Sequence, residues 1–574
     1  MSTVPPDGPP EYLEQGGGGP LPSEPATGHT RRNALIAGGA IAGLVLVGGG
    51  IWAATSFFGT GPQPAEALPA STIGYASIDL DPSGSQKIEA VKMLRKFPAF
   101  KDKIGLDTKD DIRKKLFDEI QKDAHCSGLD YADDIEPWLG DRAAVAAVDE
   151  GKDQPTPVLV LQVKDADKAD AGLDKIKSCA SGDSGAAGSD SGGWAVNGDW
   201  AIIAETDKIA QQVADDAANS SLADDEDYQH WTDEVGDAGI VNLYAAPKAG
   251  QFLADNLGST GMFGGSASSV ACSAGSTSPS SSASPGSSEP YSADPCDGAA
   301  GMSAPNPAPA QVTQALKDFK GMAATLRFND GALELEVAGD PGASSKALYG
   351  TDRGDDVVAT LPEDTAAAVG VGFDKGWFSA FVDQMASYSG GRTSADDLLR
   401  QMSQASGLDL PDDAETLAGD STALAVGPDF DLESMMNSSD ASGLPVAVKV
   451  KGDPEAVDGV LEKLRAKMTS AQEADALGSD SSGDMIAIGP NADYRSQVLK
   501  QGRLGDSAAF KGVIPEADKA SALLFVNFDA GDWLTGLAQG DQEIADNLKP
   551  LQGLGMSAWR DGDTSHAVLR ITTD

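Results

Sequence analysis

At 574 residues the chain is too long for one ordinary core, since domains run to roughly 100–200 residues, and its 40% hydrophobic content can fill several. With 42 Lys and Arg against 88 Asp and Glu, the formal charge of −46 repels polyanions, so the composition excludes nucleic acid as a partner. The acidic surplus reads as a solvated surface rather than a trap for cations.

Residues 1–33 are rich in Pro and Gly, including Gly16 to Gly19, and have almost no apolar periodicity to bury, which predicts a disordered cytoplasmic tail. Residues 34–58, from Ala34 to Phe58, carry no charged side chain. At ~1.5 Å per residue this run crosses a hydrocarbon core of about 30 Å, so it is predicted to be a transmembrane helix in contact with the lipid bilayer. Arg31 and Arg32 precede it and no Lys or Arg follows until Lys87, which keeps the N-terminus in the cytoplasm and the rest extracytoplasmic. A twin-arginine signal cleaved near Ala65-Glu66-Ala67 is the competing reading, but the apolar run exceeds the ~7–15 residues of a signal core. Gly39 and Gly43 form a G-x-x-x-G that would let two spans pack as a weak homodimer. Given the other glycines of the span, a glycine-rich lipid-facing helix is the simpler reading.

After a linker at 59–67, one pattern occurs twice, at 68–340 and at 361–574, with a connector at 341–360 between them. Leu68-Pro69-Ala70-Ser71-Thr72 opens the first copy and Leu361-Pro362-Glu363-Asp364-Thr365 the second. Gly140-Asp141 and Gly419-Asp420 each lead into a small-residue strand, and each copy ends in a hairpin, at Asp330-Gly331 and Asp561-Gly562. Asp-Gly between alternating apolar runs marks a tight antiparallel turn because Gly accepts positive φ. Stretches such as 166–176 and 454–468 have helical spacing. The predicted fold class is α+β: one transmembrane helix, then two tandem, internally duplicated units with largely antiparallel sheets and helices on one face. Residues 264–310, dominated by Ser, Gly, Pro and Ala, read as a disordered insertion in the first unit.

Candidate chemistry is sparse. Cys126, Cys179, Cys272 and Cys296 all fall in the first unit without a C-x-x-C, which points to disulfides rather than zinc. Three pairings are open; Cys272 with Cys296 and Cys126 with Cys179 are favoured. His29 lies in the tail, and His125, His230 and His566 lack a second ligand at metal spacing. Neither H-E-x-x-H nor G-x-S-x-G occurs, so no catalytic residue, metal or cofactor is assigned. Gly370 and Gly372 lack phosphate-loop spacing. Asp79 and Asp81 could hold a hard cation, but Asp81 before Pro82 reads better as a helix cap, and Asp374 takes the matching place in the second unit. Asp141 and Asp420 read as turn residues.

The Leu-Pro-x-x-Thr openings, the segment Leu94-Arg95-Lys96-Phe97-Pro98 and the Gly-Asp strand entries resemble a family of membrane-anchored actinobacterial proteins, DUF3352, a domain of unknown function. The resemblance runs from Leu68 to the C-terminus. It implies export, one membrane span and no assigned activity, and it supplies no functional residues. The expected function is a non-enzymatic binding or scaffold module of the cell envelope, with an envelope protein, lipid or wall component as partner. The alternatives are a lipid or small-ligand carrier, or a hydrolase with an unrecognised active site.

Overall fold

A computed structural model describes residues 62–79, 85–99, 111, 113–114, 117–118, 121, 128–152, 154–182, 192–237, 239–256, 310–342, 351–388, 393–430, 442–468, 470–531, 533–536 and 541–574. The tail, the apolar run with Gly39 and Gly43, Asp81, His125, Cys126, Cys272, Cys296 and residues 264–309 of the expected insertion lie outside them. Among the described residues no helix is long and apolar enough to cross a membrane.

The first half contributes β1 (Thr72–Asp79), β2 (Leu139–Val148), β3 (Thr156–Val163), β4 (Gly193–Asn197), β5 (Trp200–Ala204), β6 (Val241–Ala245), β7 (Met322–Asn329) and β8 (Ala332–Gly339). The second contributes β9 (Ala367–Gly372), β10 (Ser421–Val426), β11 (Val446–Lys451), β12 (Ser479–Ser482), β13 (Met485–Ile488), β14 (Ala522–Asn527), β15 (Leu551–Asp561) and β16 (Thr564–Thr573). The fold is mixed α+β, and its sheet differs from the two separate sheets expected. The sixteen strands of the described residues form one antiparallel sheet in the order β12-β13-β11-β10-β9-β14-β15-β16-β8-β7-β6-β1-β2-β3-β5-β4. Read inward from either edge, the two halves show the same strand order and meet at β8 and β16.

The join follows from the hairpins. At the first turn Asp330 and Gly331 both take positive φ, +50° and +80°, the geometry that matches strand twist in a two-residue loop. Each hairpin leaves its last strand with an unpaired edge, and unpaired edges seek partners. Glu336 and Val568, each the fifth residue of its strand, face one another across the join. Leu335 pairs with Leu569 and Leu333 with Ile571, so the seam is symmetric about that central pair.

Successive strand residues point to opposite faces. One face carries Tyr75, Ala144, Val160 and Ile202 beneath Ala210, Val213 and Ala214 of the helix Asp207–Asn219. In the second half this face carries Ala368, Ala423 and Phe525 beneath Val357, Val358, Val498 and Phe510. The other face is also covered, at its ends and at the middle of the sheet. Ala169 and Leu173 of the helix Ala166–Gly182 pack on Leu161 and Val163. Val457 and Leu461 of the helix Pro454–Arg465 pack on Val448 and Val450, and the helix Ser85–Leu94 packs on Phe328 and Leu333. Helices therefore lie on both faces, not one, because the strands present apolar side chains on both sides and each needs shielding. Every fully buried Val, Leu or Phe contributes ~1.5–3 kcal/mol.

Two expected spacers belong to the cores. Ala65 and Ala67, placed in the linker, are buried in the first core; Val357 and Val358, placed in the connector, are fully buried in the second. Their apolar side chains dock on the sheet.

Candidate functional site

Ladder partners align side chains into rows across a sheet. On the face that carries Leu161 and Val448, one row runs through Ile488, Val448, Leu424, Val369, Leu524, Met556 and Leu569 in the second half. It continues through Leu335, Leu326, Val241, Ile78, Ala143, Leu161, Ala201 and Val196 in the first. Every strand except β12 gives one aliphatic residue or methionine, and no polar side chain interrupts them.

Among the described residues, helices cover both ends of this row, and the helix Ser85–Leu94 packs on Val241 in its first half, which leaves the second half more open. Val369, Leu424 and Met556 are 39%, 40% and 40% exposed, and Leu243, in the neighbouring row of the same face, is 41% exposed. In the first half the matching positions are Ala76, Val145 and Ala324, with shorter side chains, so the open apolar floor belongs mainly to the second half. Phe381 and Met385, on the helix Trp377–Tyr388 that follows β9, are also exposed. Exposed aliphatic side chains in one continuous row mark a surface shaped to meet something apolar.

Gly370 and Gly372 serve the opposite face of β9. A Cβ on Gly370 would lie 2.3 Å from the Gly354 carbonyl oxygen, and one on Gly372 2.9 Å from the Arg353 carbonyl carbon. These glycines let residues 353–358 lie flat on the strand, which accounts for the motif without a phosphate.

That opposite face holds a polar seam where the halves join. Arg327 Nε donates to Glu334 Oε1 (2.7 Å), and its guanidinium also donates to Glu336 and to the carbonyls of Val235 (2.8 Å) and Asp237 (3.0 Å). Arg570, across the join, donates through Nη2 to the Asn329 carbonyl (2.7 Å) and lies 3.5 Å from Glu334. In the second hairpin, Trp559 and His566 replace the Arg327–Glu334 ladder pair and stack instead, with centroids 5.1 Å apart and planes at 6°. His566 Nε2 lies 3.4 Å from Glu234. Burial lowers the His566 pKa against the opposing pull of Glu234, and burial raises those of Glu336 and Glu516.

This arrangement joins the halves; it does not assemble a catalytic triad. Ser557 Oγ and His566 Nδ1 are buried without a hydrogen-bond partner, so no base activates that hydroxyl. Among the described residues no group of three or more His, Cys, Asp or Glu could hold a metal ion. A cavity of about 210 Å³ beside Glu66, Asp199 and Trp200 is smaller than the ~300–1,000 Å³ typical of ligand pockets.

The other sequence candidates have structural places. Cys179 is disulfide-bonded, and the other three cysteines lie outside the described residues. Asp374 does not cap a helix with its side chain: the helix begins at Trp377, whose amide donates to the Asp374 carbonyl (3.2 Å), while its carboxylate accepts from Arg353 (3.2 Å). A helix that starts at Trp377 begins two residues later than a cap at Asp374 requires. Asp79 accepts from Arg142 (3.2 Å), and Asp81 lies outside the described residues. Asp141 pairs with Arg113 (2.8 Å). His230 is exposed, with its ring 4.6 Å from that of Trp231. Sequence reading missed Val369, Leu424 and Met556, although the alternation in 367–372 and 421–426 carried the signal.

No curated protein and no solved structure matches the chain. Residues 35–262 match the model of a family described as a protein of unknown function, DUF3352. The match begins inside the apolar run and ends before the second half, so it starts earlier and stops earlier than the expected Leu68-to-C-terminus resemblance. Over that stretch the chain is similar to a family of unknown function.

Proposed function

We propose that this chain is a membrane-anchored, extracytoplasmic, non-enzymatic binding module of the cell envelope, and that the open apolar face of its sheet is the binding surface. The carrying observation is the unbroken aliphatic row whose second-half members Val369, Leu424 and Met556 stay 39%, 40% and 40% exposed. A monomer gains by burying such side chains, at roughly 25 cal/mol per Å² of apolar surface. Leaving them in water therefore favours a partner that removes them from it. Anchoring is supported by the uncharged run at 34–58 and by Arg31 and Arg32 on one side of it alone.

The test places a photoreactive residue at Met556 in the full-length chain in its own membrane, with Asp216, exposed on the helix Asp207–Asn219, as the control position. Irradiation should give a covalent adduct at 556 and little at 216. No adduct at Met556, or equal adducts at both positions, would overturn the proposal. A reporter fused to the C-terminus should be active only outside the membrane.

A further inference from the structure

The helix Ser85–Leu94 and the two residues after it are basic in an otherwise acidic protein, and they lie at one end of the strands. We infer that this segment docks on anionic lipid headgroups of the membrane and holds that end of the sheet against it. The docking rests on the reading of residues 34–58 as an embedded anchor and names the surface that orients the anchored body.

Charge is the first observation. From Ser85 to Lys96 the chain carries Lys87, Lys92, Arg95 and Lys96 against Glu89 alone, within a net charge of −46. The helix Trp377–Tyr388 follows β9 as this one follows β1, yet it has Asp383 and no Lys or Arg. The two halves share the helix and differ in its sign. Ala90, Met93 and Leu94 are buried against the sheet. Ile88, Lys92 and Arg95, spaced by four and three residues, fall on the outward side and are exposed, Ile88 at 47%. An apolar side chain among cations suits a headgroup layer, where the cations meet phosphates and the hydrocarbon enters the interface. An anionic leaflet repels a body whose remaining charge is negative, which turns the basic segment toward the lipid.

Position is the second. Asp79 closes β1, and Arg142 beside it donates through Nη1 to the Pro62 carbonyl (2.6 Å). The ladder pairs Ile78–Val241, Asn329–Ala332 and Ala332–Thr572 lie at that same end of the strands. There Lys96 Nζ donates to Oγ1 of Thr573 (2.9 Å), the last residue of β16. Pro62 is four residue steps from Phe58, at most about 14 Å, so an embedded run holds this end of the sheet near the headgroups. The acidic helix Gln542–Leu548 meets the segment beyond its end, where Asn547 accepts from the Ala99 amide (2.9 Å).

The test uses the full-length chain in vesicles of phosphatidylcholine, with or without phosphatidylglycerol, carrying fluorescence quenchers at headgroup and acyl depth. A fluorescent residue is placed at Ile88, at Leu44 in the apolar run, or at Lys152, exposed between β2 and β3 at the opposite end of the strands. Quenching at 88 should be several-fold stronger with phosphatidylglycerol than without. It should be lost at about 1 M salt, where the Debye length is ~3 Å, while quenching at Leu44 persists. Lys87→Glu with Lys92→Glu should abolish the phosphatidylglycerol dependence at an unchanged melting temperature, and Lys92→Gln should remove part of it. Equal quenching at 88 with and without phosphatidylglycerol, or equal quenching at 88 and 152, would overturn the docking while Leu44 still reports the anchor. A Leu44 probe that is not quenched would overturn the anchor, and the docking with it.

Discussion

Lys449 on β11 occupies the place that Val160 holds on β3: each is the ladder partner of the alanine three residues after the Gly-Asp aspartate, Ala423 in one half and Ala144 in the other. Only 2% of Lys449 is exposed, and Nζ donates to Thr360 Oγ1 (2.8 Å) and to the Thr360 carbonyl (3.3 Å). Burial pushes its pKa down to about 8. Lys449→Met, which fills the volume without the charge, should raise stability at pH 7 by about 1–3 kcal/mol, read as a higher melting temperature. The sign in pH follows from linkage. Between pH 8 and the ordinary lysine value of ~10.4 the unfolded chain binds the proton that the folded chain has lost, so wild-type stability should climb across that window. The variant should lack this climb, and an identical pH profile for both proteins would refute the assignment.

The seam should be sensitive to loss of one charge. Glu334 is buried between Arg327 and Arg570, so Glu334→Leu leaves guanidinium groups short of a counter-charge and should cost about 3–5 kcal/mol in urea unfolding. Adding Arg327→Trp to Glu334→His copies the Trp559–His566 stack of the other hairpin and should recover part of that loss. A neutral Glu334→Leu would show that the pair contributes nothing to the join.

His566 should give the folded protein a mildly acid-sensitive limb. Burial is the first cause of its lowered pKa, with Glu234 and Asp561 opposing and Lys519 assisting. The unfolded chain therefore takes up the proton first, and stability should fall as pH drops through the ordinary histidine value of ~6.5. Glu336 and Glu516, raised by burial, act in the opposite sense and lose their penalty as pH falls. His566→Phe should flatten the limb between pH 5 and 7 in a chemical-denaturation series; an unchanged limb would assign it elsewhere.

Gly555 marks a close approach between layers. A Cβ there would lie 2.3 Å from the Val513 carbonyl oxygen, so Gly555→Ala should cost about 1–3 kcal/mol through overpacking. Gly483, at φ +63° with nothing within 4 Å of a Cβ, should tolerate Asn at little cost because Asn accepts that backbone region. Thermal melts of the two variants give the comparison, and equal effects would contradict the packing account.

What could be read in advance depended on how local its cause was. The Asp330-Gly331 turn is announced by its own two residues and their flanking alternation, and the Gly140-Asp141 and Gly419-Asp420 strand entries by the pattern each repeats. The β8–β16 join pairs Leu335 with Leu569, more than two hundred residues away, and an edge that will be paired looks in sequence like one that will not. Helices on both faces were missed because Ala143, Val145 and Ala147 read as a small-residue strand, not as a second surface needing cover. Lys449 sits in a Val-Lys-Val alternation that suggests a solvent-facing side chain, yet the segment around Thr360 lies over it. The apolar face was hidden for a related reason: Val369, Leu424 and Met556 look like ordinary core residues one at a time, and only the lateral register brings them together.

The pairing of β16 with β8 also bears on how the polypeptide is made. During synthesis the first half can form its eight strands while β8 still presents a bare row of amides and carbonyls, and it must keep that border unmatched until residues 564–573 leave the ribosome. Chains halted shortly before that point should be the ones that stick to each other, through the very border their missing strand would have closed.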